Sequence, residues 1–164
     1  MRGMTKRELQ ITDEQQIRAI LDTAKVVHLG MCVDNEPYVV PMNYGYSLEN
    51  GKLVLYLHGA PRGKKLDMIR ANPKVYFEFA TDLQPFGAGK PCQYGLAYSA
   101  VLGKGIATIV EDVEEKKQAM TVLMKTQTGK DFTFTEEWVS IVAVIRIDVT
   151  EYTAKHRLLP EKLR

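Results

Sequence analysis

From Gln93 to Val110 the chain reads as one uninterrupted β-strand, long for a small sheet, with Gly103 and Gly105 inside it. Glycine within a strand marks a bulge or a sharp bend, the device by which a sheet curls toward a closed barrel. The other segments agree with that reading. Thr12-Asp-Glu-Gln15 has the form of a capping box, and Ile17, Ile20, Leu21 and Ala24 follow at helical spacing, which predicts a helix of about three turns. Lys25 to Val33 reads as a strand closed by the turn Asp34-Asn35-Glu36-Pro37. Tyr38 to Leu48 is predicted as the second strand. Asn50-Gly51 signals a tight hairpin into a third strand, Lys52 to His58, so the three form a meander.

A short helix over Lys64 to Ala71 is stopped by Asn72-Pro73, and Lys74 to Ala80 makes a fourth strand. Thr81 to Pro91, with two prolines and two glycines, reads as a loop. Asp112 opens an amphipathic helix that Gly129 ends, and Trp138 to Val149 is the last strand. Residues 1–11 read as an arm, mobile or strapped onto a partner, and 151–164 as a polar tail. Six strands with tight connections and few helices predict one mainly β domain over 1–164, a six-stranded antiparallel barrel with flanking helices.

Composition narrows the function classes. The 164 residues are 45% hydrophobic and 26% charged, with a net charge of +2. Such a balance argues against nucleic-acid binding and suits one soluble domain able to bury a core. Positive charge is gathered instead in short clusters, Arg62 to Lys65 and Lys155 to Arg157, which fit a small anion. Cys32 and Cys92 lack zinc spacing, and His28, His58 and His156 show no ligand spacing, so no metal site is expected. No apolar run reaches membrane-spanning length and the first residues lack a signal-peptide core, so a cytoplasmic protein is expected.

Four places could carry chemistry. Arg62-Gly63-Lys64-Lys65 stands where a strand passes into a helix. Outward-pointing helix amides and three cations there suit a phosphate, whereas a solvated helix start would leave those cations opposed to the helix dipole. His58 ends the preceding strand; a lone histidine there is more often structural than reactive, and the basic turn beside it favours a role. Pro41 interrupts Val39-Val-Pro-Met-Asn-Tyr-Gly-Tyr46, so this is either a bulged edge strand or a strand whose freed backbone faces a flat ligand. In Tyr94 to Gly105 the glycines let a barrel close, and they could equally admit a ligand.

Pro37 to Tyr46, Leu55-Tyr-Leu-His58, Gly63-Lys-Lys-Leu-Asp67, Ile69-Arg-Ala-Asn-Pro73 and Tyr98-Ser-Ala-Val-Leu-Gly-Lys-Gly105 follow one another in the order seen in a known group. The chain resembles the pyridoxamine 5'-phosphate oxidase-like flavoproteins, and within them the nitroimidazole-resistance (Nim) branch, from about Ile11 to Ile147. The resemblance implies a split β-barrel with FMN at a homodimer interface, each barrel contributing to both sites. It implies Lys64 and Lys65, with Gly59, Arg62 and Gly63 about them, at the FMN phosphate, and Pro41, Met42 and Asn43 along the flavin ring. His58 corresponds to the branch's histidine near the flavin, the residue expected to handle substrate or protons. Tyr98 and Ser99 correspond to a segment bordering the cofactor, and Lys155 matches a C-terminal element loosely.

Two departures stand out. Gly59 occupies a place where relatives often have Ser or Thr. Ala97-Tyr98-Ser99 lacks the Arg that relatives often carry between the aromatic residue and the serine. The implied activity is an FMN-dependent oxidoreductase moving electrons from reduced nicotinamide to a small aromatic or nitroaromatic acceptor. The alternatives are a flavin or haem module without turnover, and oxidation of pyridoxamine phosphate, for which no second phosphate-binding set is evident.

Overall fold

Leu53, Leu55 and Leu57 are buried while Val54, Tyr56 and His58 between them are half-exposed. That alternation puts one face of each strand inward, and the same pattern recurs through the sheet. The computed structural model describes residues 7–87 and 89–160. Eight strands form one antiparallel sheet: β1 (Gln10–Ile11), β2 (Val27–Val33), β3 (Glu36–Met42), β4 (Tyr44–Glu49), β5 (Lys52–Gly59), β6 (Lys74–Phe86), β7 (Gly95–Val110) and β8 (Ala143–Arg157). Their order is β3-β2-β6-β7-β8-β5-β4, with β1 added along β8. Four helices flank it: α1 (Glu14–Thr23), α2 (Lys64–Ala71), α3 (Val113–Thr128) and α4 (Glu136–Ser140).

The two ends of this path, β3 and β4, are consecutive in the chain, with only Asn43 between Met42 and Tyr44. One intervening residue spans at most about 7 Å, so the sheet has to curl until its edges meet. Covalent continuity at Asn43 therefore draws the split barrel together where no ladder joins β3 to β4. Inside, Leu29, Tyr44, Leu55, Leu57, Phe77, Phe79, Val101, Ile145 and Ile147 make a continuous core. A second cluster of Val110, Ala119, Met120, Val139 and Val144 seats α3 and α4 on the outside.

The structure departs from the sequence reading in several places. Tyr38 to Leu48 is two strands, not one, and the meander is absent: β2 pairs with β3, and β4 pairs with β5, at opposite ends of the path. The expected six strands become eight through this break and through β1. Gln10 and Ile11, expected in an arm, pair with Lys155 and Ala154 of their own chain; residues 1–6 of that arm lie outside the described residues. The expected loop over Thr81 to Pro91 is strand as far as Phe86, carried past a bulge between Thr81 and Gln84 where Asp82 takes φ 56°. Pro85 lies past the part of β6 that β2 joins, where β6 pairs with β7 alone, so it interrupts no ladder on that side.

Trp138 is helical, not strand. Thr135 caps α4 by accepting from the Trp138 amide (3.3 Å), and the last strand starts at Ala143. That strand runs on through Glu151 to Arg157, where a polar tail was expected. The bend in β7 is where the glycines put it. The β7–β8 register slips between Lys104 and Gly105, and a Cβ on Gly105 would lie 2.6 Å from the Asp148 carbonyl.

Helix placement follows from equally local causes. Asp13, one residue beyond the expected start, caps α1 by accepting from the Gln16 amide (3.1 Å). The buried Tyr44 hydroxyl, a single donor, is shared between the Leu21 and Ala24 carbonyls (2.6 and 3.0 Å) that α1 leaves open at its end. Burial, with the Tyr46 phenol and Asp22 nearby, holds the Tyr44 phenol far above its ordinary pKa, so it stays a donor. Gly45 lets α3 cross β4 in backbone contact: a Cβ there would sit 2.3 Å from the Leu123 Cα.

Candidate functional site

β5 ends in His58 and Gly59, which pair with Val144 and Ala143 at the start of β8. The chain then turns through Pro61 and Arg62 into α2. Gly63 is the N-cap of that helix at φ 137°, a conformation open to glycine, and no side chain caps the helix. Leu66, Met68 and Ile69 bury the inner face of α2 against the barrel. Their spacing fixes the helix rotation, and with it the directions of Lys64 and Lys65.

The two lysines end in different places. The Lys64 ammonium is exposed, pairs with Glu36 of β3 at 3.1 Å and stands 5.0 Å from the centre of the Tyr38 ring. Lys65 is half-buried, and among the described residues no carboxylate pairs with it. It lies against the Gly59 backbone: a Cβ on Gly59 would meet the Lys65 Nζ at 2.7 Å and the Met42 methyl at 3.9 Å. Met42, Gly59 and Lys65 are thus one cluster. Pro41 and Asn43 flank the buried Met42 as exposed residues, and Arg62 is exposed at the turn.

His58 belongs to the same cluster. It is half-buried, and its Nδ1 is the only buried side-chain nitrogen or oxygen among the described residues that lacks a hydrogen-bond partner. Burial lowers its pKa below the ordinary 6.5, and the Lys65 charge lowers it further. His58 is therefore neutral at pH 7. A half-buried cation without a counter-ion, an uncapped helix start and an orphaned imidazole nitrogen converge on one shoulder. Each costs free energy unless an anion or an acceptor arrives, and together they favour a polyanionic group.

The other sequence-predicted residues lie elsewhere. Tyr98 and Ser99 lie in the first third of β7 and pair with Arg157 and His156 at the end of β8, while Lys155 stands over the Tyr98 ring at 5.5 Å. His58 pairs through Val144 with Val110, at the opposite end of that ladder. One chain therefore carries two separate groups, a lysine shoulder and a tyrosine end. The tyrosine end opens on a cavity of about 290 Å³ lined by Asp82, Gln84, Tyr98, Ser99 and Arg157 with Leu158 and Leu159. Arg157 was missed from the sequence, although it lies in the basic cluster Lys155 to Arg157, because only strand register brings it beside Tyr98. Among the described residues no group of three or more His, Cys, Asp and Glu converges, and no helix is long and apolar enough to cross a membrane.

Residues 13–156 match the family described as pyridoxamine 5'-phosphate oxidase, which is most of the chain. The chain belongs to that family. Within the fold it is similar to a Bacteroides thetaiotaomicron protein named for 5-nitroimidazole antibiotic resistance, with 30% identity and a TM-score of 0.76 over 90% of this chain and 86% of that one. The flavocytochrome Anf3 of Azotobacter vinelandii (17% identity, TM-score 0.76, 96% of this chain and 73% of that one) shares the fold. So does an FAD- and haem-binding protein of Mycobacterium smegmatis (14% identity, TM-score 0.76, 93% of this chain and 75% of that one). An uncharacterised curated protein of Rhizobium meliloti (strain 1021) is 29% identical over 72 residues. That match spans 44% of this chain and 44% of the relative, less than half of either. The family's mainly β fold with an antiparallel sheet and flanking helices is the fold expected from the sequence.

Proposed function

We propose that this protein is a homodimeric FMN-dependent oxidoreductase that carries electrons from reduced nicotinamide to a small aromatic or nitroaromatic acceptor. The observation that carries the reading is the unpaired, half-buried Lys65 ammonium beside the unpartnered Nδ1 of His58 at an uncapped helix start. Those groups fit a terminal phosphate: Lys65 supplies charge, and α2 supplies amides and dipole. Gly59 keeps the space in which the Lys65 ammonium lies, and Lys64 contributes less because Glu36 already holds it.

When bound, the flavin supplies the redox chemistry; the chain's residues bind, orient and shield. Pro41 lacks an N–H, and Met42 and Asn43 follow where β3 breaks from β4, so this edge suits a flat ring. His58 is neutral in the free protein and gains a proton more readily once an anion offsets Lys65, so it can hold a proton at the ring. Tyr98, Ser99 and Lys155 stand at the far end of the β7–β8 ladder in the same chain. A dimer that seats one protomer's lysine shoulder against its partner's tyrosine end would unite them, which favours the homodimer. The similarity to the Bacteroides thetaiotaomicron protein favours the nitroaromatic acceptor.

The test begins with the visible spectrum of purified protein mixed with FMN, followed by steady-state oxidation of reduced nicotinamide with a nitroaromatic acceptor. A bound-flavin band and sustained turnover are expected. A bound band that is bleached once without cycling contradicts the enzymatic part, and the lack of any bound band contradicts the cofactor.

A further inference from the structure

The tyrosine end carries a second cluster of positive charge. Lys155 and Arg157 alternate on one face of β8 about Tyr98, and among the described residues neither pairs with a carboxylate. Arg157 is held in place by two contacts. Its guanidinium lies 4.9 Å from the centre of the Phe86 ring, and Gly95 leaves it room: a Cβ there would come within 2.9 Å of the guanidinium. Arg157 also lines a cavity of about 290 Å³, and a guanidinium packed against a ring can still present its planar fork to a ligand. At the same cavity the β6 bulge presents Asp82 with φ 56°, and Gln84 and Ser99 add polar groups between apolar walls.

We propose that this cavity binds a small aromatic acid, with Arg157 as the residue that recognises the carboxylate. The volume suits a single substituted ring and is small for a nucleotide. Arg157 takes the carboxylate through its paired donors. The Asp82 carboxylate repels an acid at its own end, so it fixes the ligand's direction and favours an N–H or O–H donor there. The inference rests on the flavin reading only for what the bound acid faces across the dimer; acid binding itself needs no flavin.

The probe is 4-aminobenzoate, with neutral 4-aminobenzamide as control, titrated by calorimetry into the full chain with FMN added and into the flavin-free chain. The flavin spectrum is read before and after each titration. The acid is expected to bind at least tenfold more tightly than the amide. Arg157→Gln should abolish that preference, and Arg157→Lys, which keeps the charge and loses the fork, should retain only part of it. Amide affinity should change little in either variant, which separates lost recognition from lost folding. Equal binding of acid and amide overturns the proposal, as does an acid preference that survives Arg157→Gln. So does release of FMN in step with acid binding, which would put the acid in the cofactor's place. A chain that binds the acid through Arg157 and shows no flavin band supports the acid site and refutes the flavin reading alone.

Discussion

The lysine shoulder and the tyrosine end are both cationic, yet they are built differently. At the shoulder, His58, Gly59, Arg62, Gly63, Lys64 and Lys65 are near neighbours in sequence, and one strand-to-helix turn orients them all. At the tyrosine end, Asp82, Tyr98 and Arg157 come from three strands, assembled only by register across β6, β7 and β8. The shoulder borrows backbone amides and helix dipole, which favours a phosphate. The tyrosine end offers a planar fork beside a ring, which favours a carboxylate on an aromatic body. The difference shows two ways in which one fold gathers cations, by a local turn and by strand register.

Damage to the scaffold common to both ends should have the largest effect. Gly45→Ala forces a methyl into the α3 backbone and should cost about 3 kcal/mol of stability, read as a lower midpoint in denaturant. Binding at both ends should then fall together; loss at one end alone would show that they do not depend on a common barrel. Next in size is His58→Ala. It should keep flavin bound and slow turnover on the order of 100-fold. Unchanged turnover would leave His58 as a structural residue.

Lys65→Ala should weaken FMN binding roughly 10- to 100-fold, the worth of charge-assisted hydrogen bonds to phosphate, and leave acid binding at the tyrosine end untouched. Lys64→Ala should cost only about twofold, because Glu36 already takes up its charge in an exposed pair. Reversed sizes for these two lysines would reverse their assigned roles. The smallest effect is a pH dependence. The folded protein holds His58 below 6.5, so between that lowered value and 6.5 it binds fewer protons than the unfolded chain. The His58 contribution to stability is complete above about pH 6.5 and is lost as pH falls through the lowered value. Bound FMN should raise the His58 pKa and shrink this loss, which histidine ring NMR shifts with and without FMN would record.

Much of this was legible in the sequence, and what was not has physical reasons. The Gly103 and Gly105 bend, the Asn50-Gly51 hairpin and the strand-to-helix turn into α2 are local signals, and all three appear in the structure. The break at Asn43 is also local, but its meaning is global: Pro41 announces an edge without saying that the next strand joins the opposite end of the sheet. Pro85 hid the continuation of β6 because a proline forbids a ladder only where a neighbour waits on that side. The different fates of Lys64 and Lys65 depend on helix rotation and on Glu36, which stands far away in sequence. Arg157 needed the complete β7–β8 register.

The proposed flavin site depends above all on Lys65 holding a phosphate. The most direct measurement compares FMN with riboflavin, the same ring without the phosphate, by fluorescence titration of the unaltered protein and of Lys65→Ala. If Lys65 holds the phosphate, FMN binds at least tenfold more tightly than riboflavin, and that preference largely disappears in the variant. Equal affinity for the two flavins in the unaltered protein, or a preference that survives the loss of Lys65, would contradict it.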